Sequence, residues 1–320
     1  GKTRTLVYRV AYLVENGVKP ESILLMTFTR KSAQEMMKRA SNILDERCNR
    51  VAGGTFHSFS NYILRKYAEL IDYSNNFTVI DRADSESLIG YIISNLGFNK
   101  KERRFPRKRT VLNIISKSIN TTYSVSEILE KEYPQFMEEE KEIIDIGKQY
   151  THGKKIRNLM DYDDLLTNMV KLLTENENIR RKLSNTYKYV MIDEYQDTNH
   201  IQALYASLIA SEHENIMVVG DDAQSIYSFR GANFRNIMDF PIIFPKTELH
   251  TIEQNYRSTQ PILDLTNQVI ENAEEKYSKE LFTDIEGIEK PIFIVPKDKF
   301  EQARFICQKV LELRNDGIEL

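Results

Sequence analysis

The sequence predicts an α/β fold, a parallel sheet with flanking helices, interrupted by an all-helical insertion. Three observations predict it. Short apolar runs at 23–26, 190–192 and 215–220 each stop abruptly at polar or charged residues, as parallel strands buried on both faces do. Segments of helical period, such as 6–14 and 200–210, separate these runs. From about Asp81 the period becomes predominantly helical, with amphipathic stretches at 87–96, 111–119, 125–133 and 137–150. At 320 residues the chain exceeds what one hydrophobic core usually serves, and 41% hydrophobic residues support packed cores rather than disorder.

The chain opens on Gly1, Lys2 and Thr3 at the start of a helical segment. These are the residue types that end a phosphate-binding loop, where the lysine reaches phosphate oxygens and the hydroxyl a magnesium ion. The tripeptide alone is weak, because three residues recur by chance. A short strand at 23–26 then leads to Phe28, Thr29, Arg30 and Lys31, and Ser32 with Glu35 forms a capping-box start for the next helix. An aromatic ring beside hydroxyl and basic groups at a strand end suits base stacking and phosphate contact; a core phenylalanine before a solvated basic helix start explains the same residues. Residues 53–59 form a second strand-to-helix junction containing His57, which could hold a phosphate or base or serve structurally.

Residues 100–109 hold seven basic side chains against one acid, so the formal net charge of −3 does not exclude a polyanionic partner. Pro106 makes that run a loop or turn. The acids of 161–164 read as helix N-terminal caps and a surface acidic patch, with no catalysis assigned. Most informative is the stretch 187–199, in which Val190, Met191 and Ile192 deliver Asp193 and Glu194 to the carboxyl edge of the sheet. Paired acids there suit magnesium and water chemistry; a strand ending in a solvated acidic turn is the plain alternative. The exit of the 215–220 strand carries Gln224, a neutral amide able to touch a phosphate or its attacking water. Tyr227, Phe229 and Arg230 follow and offer stacking and phosphate contact. A strand at 249–254, a helix at 260–272, and a strand at 291–296 with a helix at 300–315 complete the reading.

Cys48 and Cys307 fit no metal or disulfide spacing, the five histidines are scattered, and no apolar run approaches a membrane span. With no signal peptide, a cytoplasmic protein without membrane contact is expected.

The string DEYQDTN at 193–199 resembles the DExQDTN box of superfamily one DNA helicases of the UvrD, PcrA and Rep type. TFTRKSAQEM is similar to motif Ia of that family, the TFHS string at 55–58 to its TFHS element, GDDAQSIYSFRGA to motif III and EQNYRSTQPIL to motif IV. In motif III, Ala223 stands where an acid is common and Phe229 where tryptophan is usual. The resemblance implies a RecA-like P-loop NTPase domain with an all-helical insertion and the start of a second RecA-like domain. Residues 1–80 and 161–248 would form domain 1A, 81–160 the insertion 1B and 249–320 the beginning of 2A. It implies ATP and Mg2+ as cofactors, with Gly1, Lys2, Thr3, Arg4, Gln224, Tyr256 and Arg257 on ATP. Thr3 and Asp193 would hold the metal, Glu194 would be the general base and Arg257 an arginine finger. Single-stranded DNA and single-strand/duplex junctions would be the partners, met by Phe28, Thr29, Arg30, Lys31, His57, Tyr227, Phe229 and Arg230. A 3′-to-5′ helicase in repair or replication is expected, the motor of a helicase-nuclease or a non-hydrolysing DNA-binding module being the alternatives. Because most of the phosphate loop and motifs V and VI are not in these residues, the 320 residues alone are expected to be catalytically crippled.

Overall fold

The computed structural model describes residues 1–98, 105–228 and 231–319. The chain forms two compact units, one of Gly1–Ile252 with Glu275–Tyr277 and the other of Glu253–Glu274 with the residues from Ser278 onward.

In the first unit, α1 (Lys2–Glu15), β1 (Ile23–Thr27), α2 (Arg30–Ile43), β2 (Ala52–Thr55) and α3 (Phe56–Tyr67) come first. β3 (Thr78–Val79) precedes α4 (Arg82–Asn95), α5 (Lys108–Asn120), α6 (Val125–Glu132) and α7 (Glu140–Ile156), and β4 (Leu159–Met160) follows them. Then come α8 (Tyr162–Glu175), α9 (Glu177–Thr186), β5 (Tyr189–Ile192), α10 (His200–Ala210) and β6 (Ile216–Val218). The short α11 (Arg235–Met238) and α12 (Phe240–Ile243) end the unit's regular structure.

The main sheet is parallel throughout, in the order β2-β1-β5-β6. Strand periodicity divides its side chains between two cores. Leu24, Met26, Val190 and Ile192 pack with α3, α8 and α10 residues on one face, whereas Ile23, Leu25 and Met191 pack with α1 and α2 residues on the other. Each fully buried aliphatic side chain of this kind contributes roughly 1.5–3 kcal/mol. Met26 lies opposite Ile192, and Ile192 opposite Val218, so β1, β5 and β6 end together. Whatever follows those residues therefore meets at one edge, where ligands bind in open parallel sheets.

A third core, including Ile89, Val111, Ile114, Ile143 and Ile146, fills the space among α4 to α7. The two ends of this helical stretch are joined by the β3–β4 pair, Thr78 opposite Leu159 and Val79 opposite Met160. Beside that pair, Lys154 is 1% exposed, with Nζ 2.5 Å from Asp161 Oδ2 and 2.6 Å from Asp164 Oδ2. Tyr150 Oη donates to the same Asp161 oxygen at 2.8 Å, and Asp161 and Asp164 form a reciprocal capping box on α8. The expectation of caps holds for these acids, but the acidic surface patch does not: both are buried around one ammonium. Burial and the neighbouring Asp161 charge push the Asp164 carboxyl up to about 6.

In the second unit, α13 (Gln260–Glu271) and α14 (Lys299–Asn315) form as predicted. The expected strands do not. Of 249–254 only Gln254 makes a bridge, to Phe282, and 291–296 is irregular, with Ile292 78% and Phe293 90% exposed. Apolar β-branched residues form a strand only where a neighbouring backbone accepts the ladder, and none of the described residues pairs with 291–296. Several helix starts also differ, α4 beginning at Arg82 instead of 87 and α5 at Lys108 instead of 111. Thr29, not Ser32, caps α2 by accepting from Ser32 N, while Glu35 pairs with Arg39. Residues 134–139 form a 3-10 turn with Phe136 out of helical conformation, so α7 begins at Glu140 instead of 137. Of the basic run, 100–104 lie outside the described residues, and Lys108 and Arg109 already belong to α5. Among the described residues no helix is long and apolar enough to cross a membrane.

Replacing Lys154 by Met should cost about 3–5 kcal/mol, because two buried carboxylates lose their shared cation. The native carboxyls would then hold protons that the unfolded chain releases above about pH 4, so the variant's stability should fall as pH rises through 6. Urea unfolding of Lys154→Met at pH 5 and pH 7 checks both the size and the sign.

Candidate functional site

At the carboxyl edge of the sheet the start of α1 meets the end of β5. Thr3 Oγ1 donates to Asp193 Oδ2 at 3.0 Å. Lys2 Nζ lies 3.9 Å from Glu194 Oε2 and 3.6 Å from Asp221 Oδ2. No side chain caps the first turn of α1 and no acid lies in it, so its free N–H groups and Lys2 present positive charge at one place. Buried Lys2 Nζ and Asp193 Oδ1 have no hydrogen-bond partner. An orphaned donor and an orphaned carboxylate oxygen, with a hydroxyl beside them, fit a phosphate oxygen and a divalent cation respectively. Burial first, and then the Glu194 charge, raise the Asp193 carboxyl above its ordinary value, while the Thr3 hydroxyl opposes them. A cation at this point would remove that penalty.

Glu194 occupies the left-handed region, φ 51° and ψ 46°, a conformation costing a non-glycine residue of order 1–3 kcal/mol. Its neighbours hold it there: Asp193 N donates to Met26 O at 2.9 Å and Tyr195 N to Val219 O at 3.0 Å. The chain thus turns sharply off β5 while remaining bonded to both adjacent strands. Gln196, 1% exposed, then orders the carboxylates. Its Nε2 donates to Glu194 Oε2 at 2.9 Å and, at 3.3 Å, to Asp197 Oδ2, while its Oε1 accepts from Asp221 N at 3.0 Å. Ser225 Oγ donates to Gln196 O at 3.2 Å. Gln224 Nε2 donates to Asp221 Oδ2 at 2.8 Å, so the amide and Lys2 converge on one acid.

Neither Gln196 nor Asp221 is among the predicted site residues. The sequence shows both inside recognisable strings, yet a buried amide clamping a base to a neighbouring loop becomes visible only when β5 and β6 are side by side.

On the same edge Phe28, 39% exposed, stacks on Tyr227 with ring centroids 5.9 Å apart and planes 18° apart. Arg30 and Lys31 are exposed beside them, and the Thr29 hydroxyl is engaged in capping α2. His57 stands edge-on to Tyr162 at 5.8 Å, with burial lowering its pKa, so its imidazole is neutral near pH 7. Tyr162, 59% exposed, is a second aromatic surface that sequence reasoning missed, since it sits inside an acidic string that reads as a cap. Phe229 and Arg230 lie outside the described residues. Arg4 is exposed on α1, with its guanidinium 5.2 Å from the Tyr8 ring. Tyr256 and Arg257 belong to the second unit, in the turn before α13, where the Asn255 side chain accepts from Arg257 N and Ser258 N and Tyr256 is 70% exposed.

A Cβ at Gly220 would lie 2.6 Å from both Gln196 Oε1 and Ile237 Cδ1. Gly220→Ala should therefore displace the Gln196 amide and cost about 1–3 kcal/mol in stability, measurable by thermal or urea unfolding.

Two known family domains match the chain along its length. Residues 1–245 match the UvrD/REP helicase N-terminal domain, and residues 250–320 the UvrD-like helicase C-terminal domain. The chain is 33% identical over 318 residues to proteins described as ATP-dependent DNA helicase PcrA from Staphylococcus aureus and from Staphylococcus epidermidis. The match covers 99% of this chain and 43% of each relative. Matched over residues 1–245 and 250–320 by these two domains in order, the chain belongs to the UvrD/REP helicase family.

Proposed function

We propose that this chain is the ATP-driven motor portion of a cytoplasmic DNA helicase that moves 3′ to 5′ on single-stranded DNA and acts at single-strand/duplex junctions during repair or replication. The observation that supports this most is the convergence of Lys2, Thr3, Asp193 and Glu194 on the sheet edge that also carries the Phe28–Tyr227 stack, with the 221–227 loop spanning the two.

In this reading Lys2, Gly1 and the first-turn N–H groups of α1 bind the β- and γ-phosphates, and Arg4 and Tyr256 contact the rest of the nucleotide. Thr3 and Asp193 would hold Mg2+, which when bound neutralises phosphate charge. Glu194 takes the proton of the attacking water as the new P–O bond forms and the bond to ADP breaks, and Gln196 keeps its carboxylate oriented. Gln224 exchanges Asp221 for the γ-phosphate, and the Arg257 guanidinium neutralises charge on the transferring phosphoryl group. Phe28, Tyr227 and Phe229 stack on bases, His57 contacts a base, and Thr29, Arg30, Lys31 and Arg230 meet phosphates. Because Asp221 touches both Lys2 and Gln224, a change at the nucleotide reaches the loop bearing Tyr227 through side chains already in contact.

Single-stranded DNA should stimulate ATP hydrolysis by the intact protein. Glu194→Gln should lower the stimulated kcat by roughly 10²–10⁴-fold and Arg257→Ala by about 10³-fold or more, with strand binding retained. Phe28→Ala should weaken strand binding by about 1–3 kcal/mol. Strand binding by the unsubstituted protein without stimulated turnover would replace the motor by a binding module. Unwinding of 5′-tailed rather than 3′-tailed duplexes would overturn the polarity.

A further inference from the structure

Asn120, the last residue of α5, lies in the helical insertion and outside every motif string, yet its side chain joins two segments of the site. Its Nδ2 donates to Asp163 Oδ1 at 2.7 Å and to Ser116 O at 2.9 Å, and its Oδ1 accepts from Asn199 Nδ2 at 2.7 Å. Asn199 closes the acidic stretch that begins at Asp193 and caps α10. Asp163 is held from the other side by Ser116 Oγ at 2.6 Å, so the acceptor of Asn120 is fixed in place.

The backbone of the same residue supports the loop bearing Tyr227. Gly231 is buried, with φ +86°, and a Cβ there would lie 2.9 Å from Asn120 O and 3.2 Å from Asn120 Cβ. Only a residue without a side chain lets the loop lie this close. Immediately after Gly231, Ala232 N donates to Tyr227 O at 3.3 Å and Asn233 N to Thr198 O at 3.0 Å.

We propose that Asn120 is a positioning residue through which the helical insertion seats residues 231–233 against the acidic strand end, and so couples strand binding to ATP hydrolysis. Asn120 touches neither nucleotide nor strand; it acts through Asn199 and Gly231. The coupling rests on the proposed motor function, whereas the seat itself rests on the contacts alone.

The test compares the intact protein with Asn120→Ala, and with Gly231→Ala, which disturbs the seat from the loop side without altering the insertion. Amide hydrogen exchange of 231–233, measured without ATP or DNA, should accelerate in both variants. DNA-free ATP turnover should stay within about twofold, while stimulation by single-stranded DNA should fall roughly three- to tenfold, the scale of one or two lost hydrogen bonds. A general loss of structure would lower both turnovers together. Unchanged exchange of the loop, or undiminished stimulation in both variants, would overturn the proposal. If the unsubstituted protein shows no stimulation, the motor reading and the coupling fail together, and the exchange comparison still decides whether Asn120 seats the loop.

Discussion

The pairing of β5 between β1 and β6 governs the rest of the first unit. Because Met26, Ile192 and Val218 are in register, Thr27, Asp193 and Val219 leave the sheet at the same level, with Phe28 and Gly220 one residue further on. A slip of one residue along β5 would exchange its two faces, moving Val190 and Ile192 out of one core and Met191 out of the other. Burial on both faces thus sets the position of the carboxylates. The left-handed turn at Glu194 is tolerated because the backbone bonds from Asp193 to Met26 and from Tyr195 to Val219 determine the conformation between them.

On that frame the polar side chains form one connected system. Thr3 meets Asp193, Lys2 lies near Glu194 and Asp221, Gln224 donates to Asp221, and Gln196 bonds to Glu194 and Asp221 N. Buried polar groups in such a network are costly unless satisfied. Two of the atoms left unsatisfied, Lys2 Nζ and Asp193 Oδ1, are those to which the proposed chemistry assigns phosphate and metal, and Asp197 Oδ1 is a third. The helical insertion meets the end of the 193–199 stretch through Asn120 and Asn199, and α8 through Lys154 and its two aspartates. It has its own apolar core, and the polar contacts at these two places reach the starts of α10 and α8.

The strands β1, β5 and β6 and the helices α1, α4 to α7 and α10 were legible because buried parallel strands and amphipathic helices write different periods into a sequence, whereas the two-residue strands β3 and β4 and the helix α9 were not read from it. The meeting of Thr3 with Asp193 was legible for a different reason, the likeness of two separated strings to a known family. The strands expected at 249–254 and 291–296 were misread because β-branched content reports suitability for a sheet, while a strand also needs a partner backbone. The α2 cap was displaced by one turn because threonine and serine both accept from a helix N–H, and only the backbone conformation of Thr29 decides between them.

By itself, then, the sequence determined the sheet strands of the first unit, the residue types at their ends and the family, since these depend on local pattern and on strings short enough to recognise. Tertiary structure alone decided that Gln196 clamps Glu194 to the Asp221 loop, that Asp161 and Asp164 surround Lys154, and that Asn120 reaches Asn199 across 79 positions. These are pairings of ordinary polar residues far apart in the chain. Their partners are chosen by which backbones the two cores bring together, and no local period records that choice.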